Sequence, residues 1–337
     1  MRVPAEWETQ AGVWLCYPSS VEHWGVRLGK IREFVLDLSK KILEFQPVFM
    51  VFHEPELMAT VREKMGHHPH PLHAIPLVHN DLWIRDYGPF FMLSESNLSI
   101  RQFRFNSWGE KFPPWDLEKT FSERWAQKYK VPFSMSMLTL EGGAFDFNGH
   151  GVALTTRPCL VNPNRNPGLG EEEIRREICR HLNLDELIIL PFGLMGDHTD
   201  GHVDNLVRFV SERKVIMPEA SSGDVNEKSL LQIKHRLATW RHPSQGWALE
   251  IVECPSLAPR PFGKNWLPRS YLNFIYVNGG LLFPVYGEDS QTITQKVFEQ
   301  CFPDRKVIPI ECSLLLEEGG ALHCMTRQQP QSNAFEI

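Results

Sequence analysis

The tetrapeptide Glu-Gly-Gly-Ala occurs twice in this chain, at residues 141–144 and 318–321, and a Thr-Arg pair follows each copy. A phrase that recurs in similar surroundings indicates an internally repeated architecture. Adjacent glycines after a strand indicate that the backbone passes close to other atoms. One copy brings the carboxylate of Glu141 to such a place, and the other leads within a few residues to the thiol of Cys324.

Polar phrases containing glycine or asparagine recur along the rest of the chain. They centre near Asp86, Gly142, His202, Asn273 and Gly320, at a spacing of about 60 residues with roughly one helix in each unit. This period predicts a repeated strand-rich unit, and a ring of such units would converge on a central site. Short strands with interspersed helices could equally form an open α/β sheet.

Composition excludes several classes of protein. The 337 residues carry a net charge of −6, which gives no support for binding to nucleic acid or to anionic membranes. No stretch approaches the ~20 apolar residues of a membrane span, and the first residues do not resemble a secretory signal. The seven scattered cysteines form no C-x-x-C pair and indicate no disulfide framework. We expect one domain over residues 1–337, a cytoplasmic location and reduced thiols.

Periodicity of the apolar residues predicts five helices and eight strands. The predicted helices cover residues 28–45, 117–129, 170–182, 224–240 and 289–302. The predicted strands cover residues 13–17, 48–52, 90–93, 151–155, 187–190, 206–210, 272–277 and 281–285. Alternation of the two element types indicates the α/β class.

Residues 80–89 contain two aspartates, an arginine and a tryptophan before a Gly-Pro turn. A capped turn with a local ion pair would account for this composition. A substrate clamp would account for it equally well, because the carboxylate of Asp86 could bind a cation beside the aromatic face of Trp83.

The segment from residue 196 to residue 205 alternates histidine and aspartate. In an extended strand His198, Asp200, His202 and Asp204 would lie on one face. That face could be an ordinary solvated surface, or it could ligate a metal as in amidohydrolase-like enzymes. A His-x-Asp pair could also supply a general base and an anchoring carboxylate without a metal. The residue types leave these interpretations open.

Cys324 stands in an unusual setting for a free cysteine. Most free cysteines are small buried hydrophobes, whereas Cys324 follows the second Gly-Gly and precedes a polar Thr-Arg-Gln-Gln-Pro. A nucleophilic cysteine needs a nearby base or cation. His202 is preferred to His323 as that base, because adjacent residues on a strand point to opposite faces.

These motifs resemble the agmatine deiminase family, within the guanidine-modifying superfamily that also contains the bacterial-type peptidylarginine deiminases. The match runs nearly end to end and keeps the family's order. Its motifs are Pro4-Ala5-Glu6-Trp7-Glu8, Asn80-Asp81-x-Trp83-x-Arg85-Asp86-x-Gly88-Pro89, Glu141-Gly142-Gly143, Arg165-Asn166-Pro167, Gly201-His202-x-Asp204, Ser270-Tyr271-x-Asn273-Phe274 and Gly319-Gly320-x-x-His323-Cys324. The resemblance implies a five-bladed α/β propeller with pseudo-fivefold repeats around a central active site.

The resemblance also implies roles for individual residues. Cys324 matches the nucleophile, His202 the general acid and base, and Glu141 the carboxylate that orients the histidine. Asp86 and Asp204 match the pair that grips a guanidinium. From its residue type we expect Trp83 to flank the cation, with a core tryptophan as the alternative, and we expect Asn273 to bind substrate as well. The implied chemistry uses no metal and no cofactor, and the implied partner is a small cationic guanidino substrate.

The implied reaction is hydrolysis of agmatine to N-carbamoylputrescine and ammonia through a thiouronium intermediate, a step of putrescine and polyamine biosynthesis. Deimination of free or C-terminal peptide arginine, a metal-dependent amidohydrolase and a non-catalytic binding protein are the alternatives. Two positions depart from the family pattern: Arg157 stands where many relatives have glutamate, and Asn205 where a relative has aspartate. The resemblance leaves room for a homo-oligomer.

Overall fold

A computed structural model describes residues 1–19, 24–95, 97–287, 290–333 and 335. The chain is a mixed α/β protein in which short strands alternate with helices. The strands of the described residues are β1 (Gln10–Tyr17), β2 (Val48–Phe52), β3 (Leu72–Pro76), β4 (Phe91–Leu93), β5 (Leu98–Arg104), β6 (Phe133–Thr139), β7 (Asp146–Phe147), β8 (Val152–Thr156), β9 (Glu186–Leu190), β10 (Arg208–Ser211), β11 (Lys214–Pro218), β12 (Glu250–Cys254), β13 (Arg260–Phe262), β14 (Asn265–Leu267), β15 (Ile275–Val277), β16 (Gly280–Val285), β17 (Lys306–Glu311) and β18 (Thr326–Pro330).

Ten helical segments accompany these strands in the described part of the chain. They are α1 (Leu28–Ile42), α2 (Leu57–Met65), α3 (Ile84–Tyr87), α4 (Ser107–Glu110), α5 (Asp116–Tyr129), α6 (Arg157–Leu160), α7 (Glu171–Leu182), α8 (Glu227–Thr239), α9 (Gln291–Cys301) and α10 (Ser313–Glu317). Short 3-10 turns lie at Gly25–Arg27, Gly142–Ala144 and Val203–Asn205. No described helix combines the length and apolar composition needed to span a bilayer.

Five sheets share one pairing pattern. In β4-β5-β6, β7-β8-β9, β10-β11-β12 and β15-β16-β17, the first two strands are antiparallel and the last two are parallel. The fifth sheet has the order β18-β1-β2-β3 and repeats the pattern, because β18 pairs antiparallel with β1 and β1 pairs parallel with β2. A separate hairpin joins β13 to β14.

The helices follow from this pairing, because parallel neighbours need a long crossover connection. A helix lies between the two members of every parallel pair: α1 and α2 in the first sheet, then α5, α7, α8 and α9 in the others. The crossover helices are amphipathic. In α1, Ile31, Val35, Leu38 and Ile42 repeat every three or four residues, and all are buried.

Polar residues of interest precede the first strand of each sheet. Asp86 lies before β4, Glu141 before β7, His202 before β10, Asn273 before β15 and Cys324 before β18. Each repeat therefore presents a polar segment at the same point of its structure. The apolar residues form four clusters beside the sheets, and this polar set is buried between them.

The predicted α/β class is confirmed, and so are the predicted helices, whose observed ends differ from the prediction by up to three residues. The last predicted helix began at Asp289, which lies outside the described residues. Several strands were missed. The clearest is β18, where Thr326–Pro330 is polar in sequence although all five residues are buried. Its burial depends on pairing with β1, which local periodicity does not report.

Candidate active site

Cys324 lies in a turn before β18 and lines a cleft of about 680 Å³. Cys324 is buried, with 8% of the residue exposed. The side-chain amide of Asn273 donates a hydrogen bond to its Sγ at 3.1 Å, and Oδ2 of Asp204 lies 3.8 Å from the same atom. The thiol is therefore held at the floor of a cleft and can be reached from solvent.

The pKa of the Cys324 thiol is raised well above its ordinary value. Burial is the largest cause, and the negative charges of Asp204 and Asp86 add to it. The free protein therefore holds Cys324 as a thiol. A cation bound between the two carboxylates would remove part of this effect and favour the thiolate.

His202 is buried between two carboxylates. Its Nδ1 lies 3.8 Å from Oδ1 of Asp86, and its Nε2 lies 3.6 Å from Oε2 of Glu141. Within the described residues, neither ring nitrogen has a hydrogen-bond partner. Burial lowers the pKa of His202, but Asp86, Cys159 and Glu141 outweigh it, so the pKa is raised well above its ordinary value. His202 is therefore an imidazolium at neutral pH, ready to donate a proton.

Glu141 is fixed by a buried arginine. Nε of Arg165 donates to both carboxylate oxygens, at 2.8 and 3.0 Å. Burial raises the pKa of Glu141, but Arg165 and His202 lower it by more. The pKa is therefore below its ordinary value and the carboxylate stays ionised. Arg165 also donates to the carbonyl of Thr199 at 2.8 Å and to Asp200 at 2.5 Å. It thereby ties Glu141 to the segment that carries His202.

Asp86 is oriented by two donors. The backbone N–H of Gly143 donates to its Oδ1, and the indole N–H of Trp108 donates to its Oδ2, both at 2.8 Å. Burial and the neighbouring carboxylates raise the pKa of Asp86. Trp108 also lines the cleft, and the sequence analysis did not identify it.

Trp108 depends on an unusual backbone. Ser107, Trp108, Gly109 and Glu110 all have positive φ angles between 54° and 87°. Such conformations disfavour non-glycine residues and concentrate at functional sites. Asn106 supports the turn, since its side chain accepts a hydrogen bond from the N–H of Gly109 at 3.0 Å. The turn aims the indole of Trp108 at Asp86.

Asp204 belongs to a network that reaches the start of the chain. Its Oδ2 lies 2.7 Å from Nδ1 of His323, whose Nε2 lies 2.8 Å from Oε1 of Glu6. Burial and the charges of Arg208 and Arg85 lower the pKa of His323, although Glu6 and the hydrogen bond to Asp204 oppose this shift. Oδ1 of Asp204 is buried and has no hydrogen-bond partner in the described part of the structure. It is a free acceptor beside the thiol.

Glu6 accepts hydrogen bonds from basic side chains of several segments. It accepts hydrogen bonds from Arg85 at 2.8 Å and from Arg208 at 2.7 Å, in addition to its contact with His323. Burial raises the pKa of Glu6, but Arg85, His323 and Arg208 outweigh it and hold the pKa well below its usual range. Glu6 was part of the N-terminal motif, but no pattern in the sequence predicted this role.

Asn273 contacts the nucleophile directly. Its Oδ1 accepts from the backbone N–H of His323 at 2.9 Å and of Cys324 at 3.3 Å, while its amide also donates to Asn205 at 3.0 Å. Asn205, one of the two departures from the family pattern, thus supports the residue that holds the thiol. Arg157, the other, forms an exposed ion pair with Glu171.

Other atoms pack closely against the repeated glycines, as the sequence predicted. A Cβ on Gly143 would lie 2.6 Å from Nδ1 of His202 and 2.9 Å from the carboxylates of Asp86 and Asp204. A Cβ on Gly320 would lie 2.5 Å from the ring of Trp83. Both copies therefore border the site, and the prediction of close backbone approach is confirmed. Trp83 is buried and lines the cleft beside Cys324.

Residues 198–204 do not form the extended strand that would place all four side chains on one face. Positive φ angles at Gly196, Asp200 and Gly201 turn the chain there. His198 packs against Phe112, and Asp200 bonds to Lys111 and Arg165. The alternating histidines and aspartates therefore do not share one face.

A different set of metal-type ligands does come together. Ligand atoms of Glu141, Cys159 and His202 lie within 4.8 Å of one another. Arg165 already occupies both oxygens of Glu141, and its positive charge opposes a cation at that place. Cys159, which the sequence did not distinguish from the other cysteines, lies with its Sγ 3.8 Å from Oε2 of Glu141.

Comparison with known proteins identifies the family. The model of the family described as Porphyromonas-type peptidyl-arginine deiminase matches residues 2–330. The chain belongs to this family. The agmatine deiminase of Stutzerimonas stutzeri (strain A1501) is 28% identical over 356 residues, covering 97% of this chain and 95% of the relative.

Two solved structures are similar over nearly the whole chain. A Cys-to-Ser variant of the C. jejuni agmatine deiminase with substrate bound has a TM-score of 0.88 at 27% identity, covering 98% of this chain and 96% of the other. The agmatine deiminase of Enterococcus faecalis, described as catalysing its reaction, has a TM-score of 0.86 at 26% identity, covering the same shares.

Gly143→Ala should abolish most deiminase activity of this family member while leaving the fold intact. The added Cβ displaces His202, Asp86 and Asp204, and a displacement near 1 Å can cost about 100-fold in rate. We expect kcat/KM to fall by about that factor at an unchanged circular dichroism spectrum. Gly29→Ala is the control, because its Cβ meets nothing within 4 Å. Wild-type activity in Gly143→Ala would contradict the close packing.

Trp108→Phe should weaken substrate binding, because it removes the N–H donor of Asp86 and keeps an aromatic ring. A hydrogen bond to a charged group contributes about 1.5–3 kcal/mol, so KM should rise about tenfold or more. Trp125→Phe is a matched control, since the Trp125 N–H is buried and has no hydrogen-bond partner among the described residues. Equal effects of the two substitutions would show that Trp108 acts only through packing.

Asp86→Asn should make the Cys324 thiol more reactive although it reduces turnover. Asp86 raises the pKa of this thiol, so removing its charge lowers the pKa and increases the thiolate fraction at a given pH. Alkylation of Cys324 by iodoacetamide, followed by peptide mass spectrometry between pH 7 and pH 10, should be faster in the variant than in the wild type at each pH. Half-buried Cys179 is the internal control. An unchanged or lower rate at Cys324 would contradict the electrostatic assignment.

Proposed function

We propose that this chain hydrolyses agmatine to N-carbamoylputrescine and ammonia, with Cys324 as the nucleophile. The observation that carries the proposal is the position of the Cys324 thiol, beside Asp204 and in a cleft that Asp86 also lines. Membership of the deiminase family and the agmatine deiminases among its relatives support the same reaction.

The carboxylates match the charge and shape of a guanidinium. This group is planar, stays protonated and presents its donors in a fixed fork, which carboxylates bind in a bidentate manner. Asp204, whose Oδ1 has no hydrogen-bond partner among the described residues, offers a further acceptor close to the thiol of Cys324. In the buried site an unpaired charge is costly, so a bound cation relieves the repulsion between Asp86 and Asp204.

Substrate binding prepares the nucleophile. The guanidinium balances the two charges that raise the pKa of Cys324, and the thiol then releases its proton to solvent. The thiolate attacks the guanidinium carbon and forms a tetrahedral adduct. The imidazolium of His202 donates its proton to a departing nitrogen, the C–N bond breaks and ammonia leaves.

Hydrolysis of the thiouronium completes the cycle. His202, now neutral, accepts a proton from water while the oxygen attacks the same carbon. The C–S bond breaks, the ureido product leaves and Cys324 returns to its starting state. Glu141 holds His202 beside the reacting atoms and stabilises its charged form, and Arg165 fixes Glu141. The balance is one water consumed and one ammonia released.

The five sheets support a finer proposal for the fold, a five-bladed α/β propeller formed by one domain over residues 1–337. Contacts join the sheets in a closed series: β18 to β4, β6 to α7, β7 to β10, β12 to α9, and β15 to β1. A propeller also accounts for the five polar segments that meet at one site. A cytoplasmic location and self-association stay predictions.

Deimination of arginine is the second candidate. An α-carboxylate at the distal end of the substrate needs a cationic partner, and Lys264 lines the cleft. Agmatine carries an ammonium at the corresponding end. Because carboxylates outnumber Lys264 along the cleft, we favour agmatine.

The decisive experiment compares ureido product formed from agmatine, free arginine and a dipeptide ending in arginine. We expect agmatine to be turned over fastest, no effect of EDTA, and no turnover by Cys324→Ala. Acid quenching during turnover should trap a thiouronium on the peptide that contains Cys324. Cys301→Ala, which changes a half-buried thiol on α9, is the control that should stay active. Activity in Cys324→Ala, or its loss with EDTA, would refute the mechanism.

A further inference from the structure

The cleft above Cys324 is larger than agmatine requires. Its volume of about 680 Å³ falls within the roughly 300–1,000 Å³ of pockets that bind drug-sized molecules. The guanidinium and its alkyl chain occupy the floor, where Trp83, Asp86 and Cys324 lie. The outer part of the cleft is then left for something further along the substrate.

Exposed aromatic side chains are concentrated in this outer part. Among the described residues, the exposed large aromatics are Phe112, Phe262 and Trp266, at 46%, 40% and 47%. All three line the cleft. A cluster of exposed apolar side chains at a cleft mouth marks a ligand-binding surface. We call these three residues the aromatic rim.

The rim is built from two segments that border the catalytic residues. Phe112 follows the left-handed turn of Trp108, and its ring packs edge-on against Trp108. Phe262 and Trp266 lie on the β13–β14 hairpin. The hairpin rests on Gly196, where a Cβ would lie 2.8 Å from the Cβ of Trp266. Gly196 thereby lets the hairpin approach the segment that carries His202.

The charge of the cleft indicates which kind of tail the rim receives. Carboxylates predominate among the charged side chains that line the cleft: Asp81, Asp86, Asp197, Glu317 and Glu318. Lys264 is the one lysine among the described lining residues.

Some of these carboxylates are already paired with arginines. Arg27 forms ion pairs with Glu317 and Glu318, and Arg260 forms one with Glu317. Asp197 forms no ion pair with another described residue, and its oxygens accept hydrogen bonds from Thr199 and from the N–H of His202. Aromatic faces and carboxylates together favour an ammonium group.

We propose that the aromatic rim binds an apolar or aromatic extension on the distal nitrogen of the substrate. The chain would then deiminate guanidinoalkyl secondary amines larger than agmatine. This inference rests on the proposed deimination and adds a substrate class to it. The chemistry at Cys324 is unchanged: one C–N bond of the guanidinium breaks, one C–O bond forms, and ammonia leaves without any redox step.

N-benzylagmatine is the probe, because it keeps a charged distal nitrogen and adds one aromatic ring. In the wild type its kcat/KM should equal or exceed that of agmatine. Trp266→Ala should lower kcat/KM for N-benzylagmatine about tenfold and change that for agmatine less than twofold. Leu231→Ala, which removes an exposed apolar side chain of α8 outside the cleft, is the control and should change neither.

N-benzoylagmatine separates charge from apolar area, because its distal nitrogen is a neutral amide. We expect its kcat/KM to lie at least tenfold below that of N-benzylagmatine. The inference is overturned if N-benzylagmatine is turned over more than tenfold less efficiently than agmatine, if Trp266→Ala affects both substrates alike, or if the benzoyl compound matches the benzyl compound. Turnover of agmatine but not of N-benzylagmatine would overturn the proposed role of the aromatic rim and leave the proposed function standing. Turnover of neither would overturn both.

Discussion

Buried negative charge is the constraint on which the site depends. Asp86, Glu141 and Asp204 are buried carboxylates, and Glu6 is a half-buried carboxylate behind them. Unpaired charge is costly in such an interior. Arg165 neutralises Glu141, and Arg85 with Arg208 neutralises Glu6. His323 bridges Glu6 to Asp204. Among the described residues, Asp86 has no ion pair with an arginine and one oxygen of Asp204 has no hydrogen-bond partner. A guanidinium bound between Asp86 and Asp204 would therefore add a positive charge where these two carboxylates lack one.

The sequence predicted those helices and strands whose burial shows in the periodicity of their own residues. Amphipathic helices such as α1 and apolar strands such as β2 were recovered, because their burial follows from their own periodicity. β18 was missed because its polar residues are buried by partners distant in sequence: the N–H of Trp14 reaches Gln329, and Arg85 bonds to Gln328. Contacts between residues so far apart in the chain cannot be recognised in a short stretch of sequence.

The residues of the site likewise fall into those that the sequence identified and those that it did not. Cys324, His202, Glu141, Asp86 and Asp204 stood out by residue type and by resemblance, and the structure brings them to one place. The missed residues act through geometry that the sequence does not express. The role of Trp108 depends on a left-handed turn, and the role of Glu6 depends on the meeting of Arg85, Arg208 and His323 from separate segments. The alternation of His198 and Asp200 left several interpretations open, because the sequence pattern does not show how the backbone turns there.

The antiparallel pairing of β18 with β1 has a consequence for how the protein becomes active. Along the chain, Cys324 follows every other residue assigned to the site, and its strand docks on the strand that follows Glu6. A chain made from its N-terminus completes the binding carboxylates and the histidine well before the nucleophile emerges from the ribosome. The thiol is buried and hydrogen-bonded only once the last strand pairs with the first. Pairing of β18 with β1 and placement of Cys324 beside Asp204 and Asn273 are thus one step of folding.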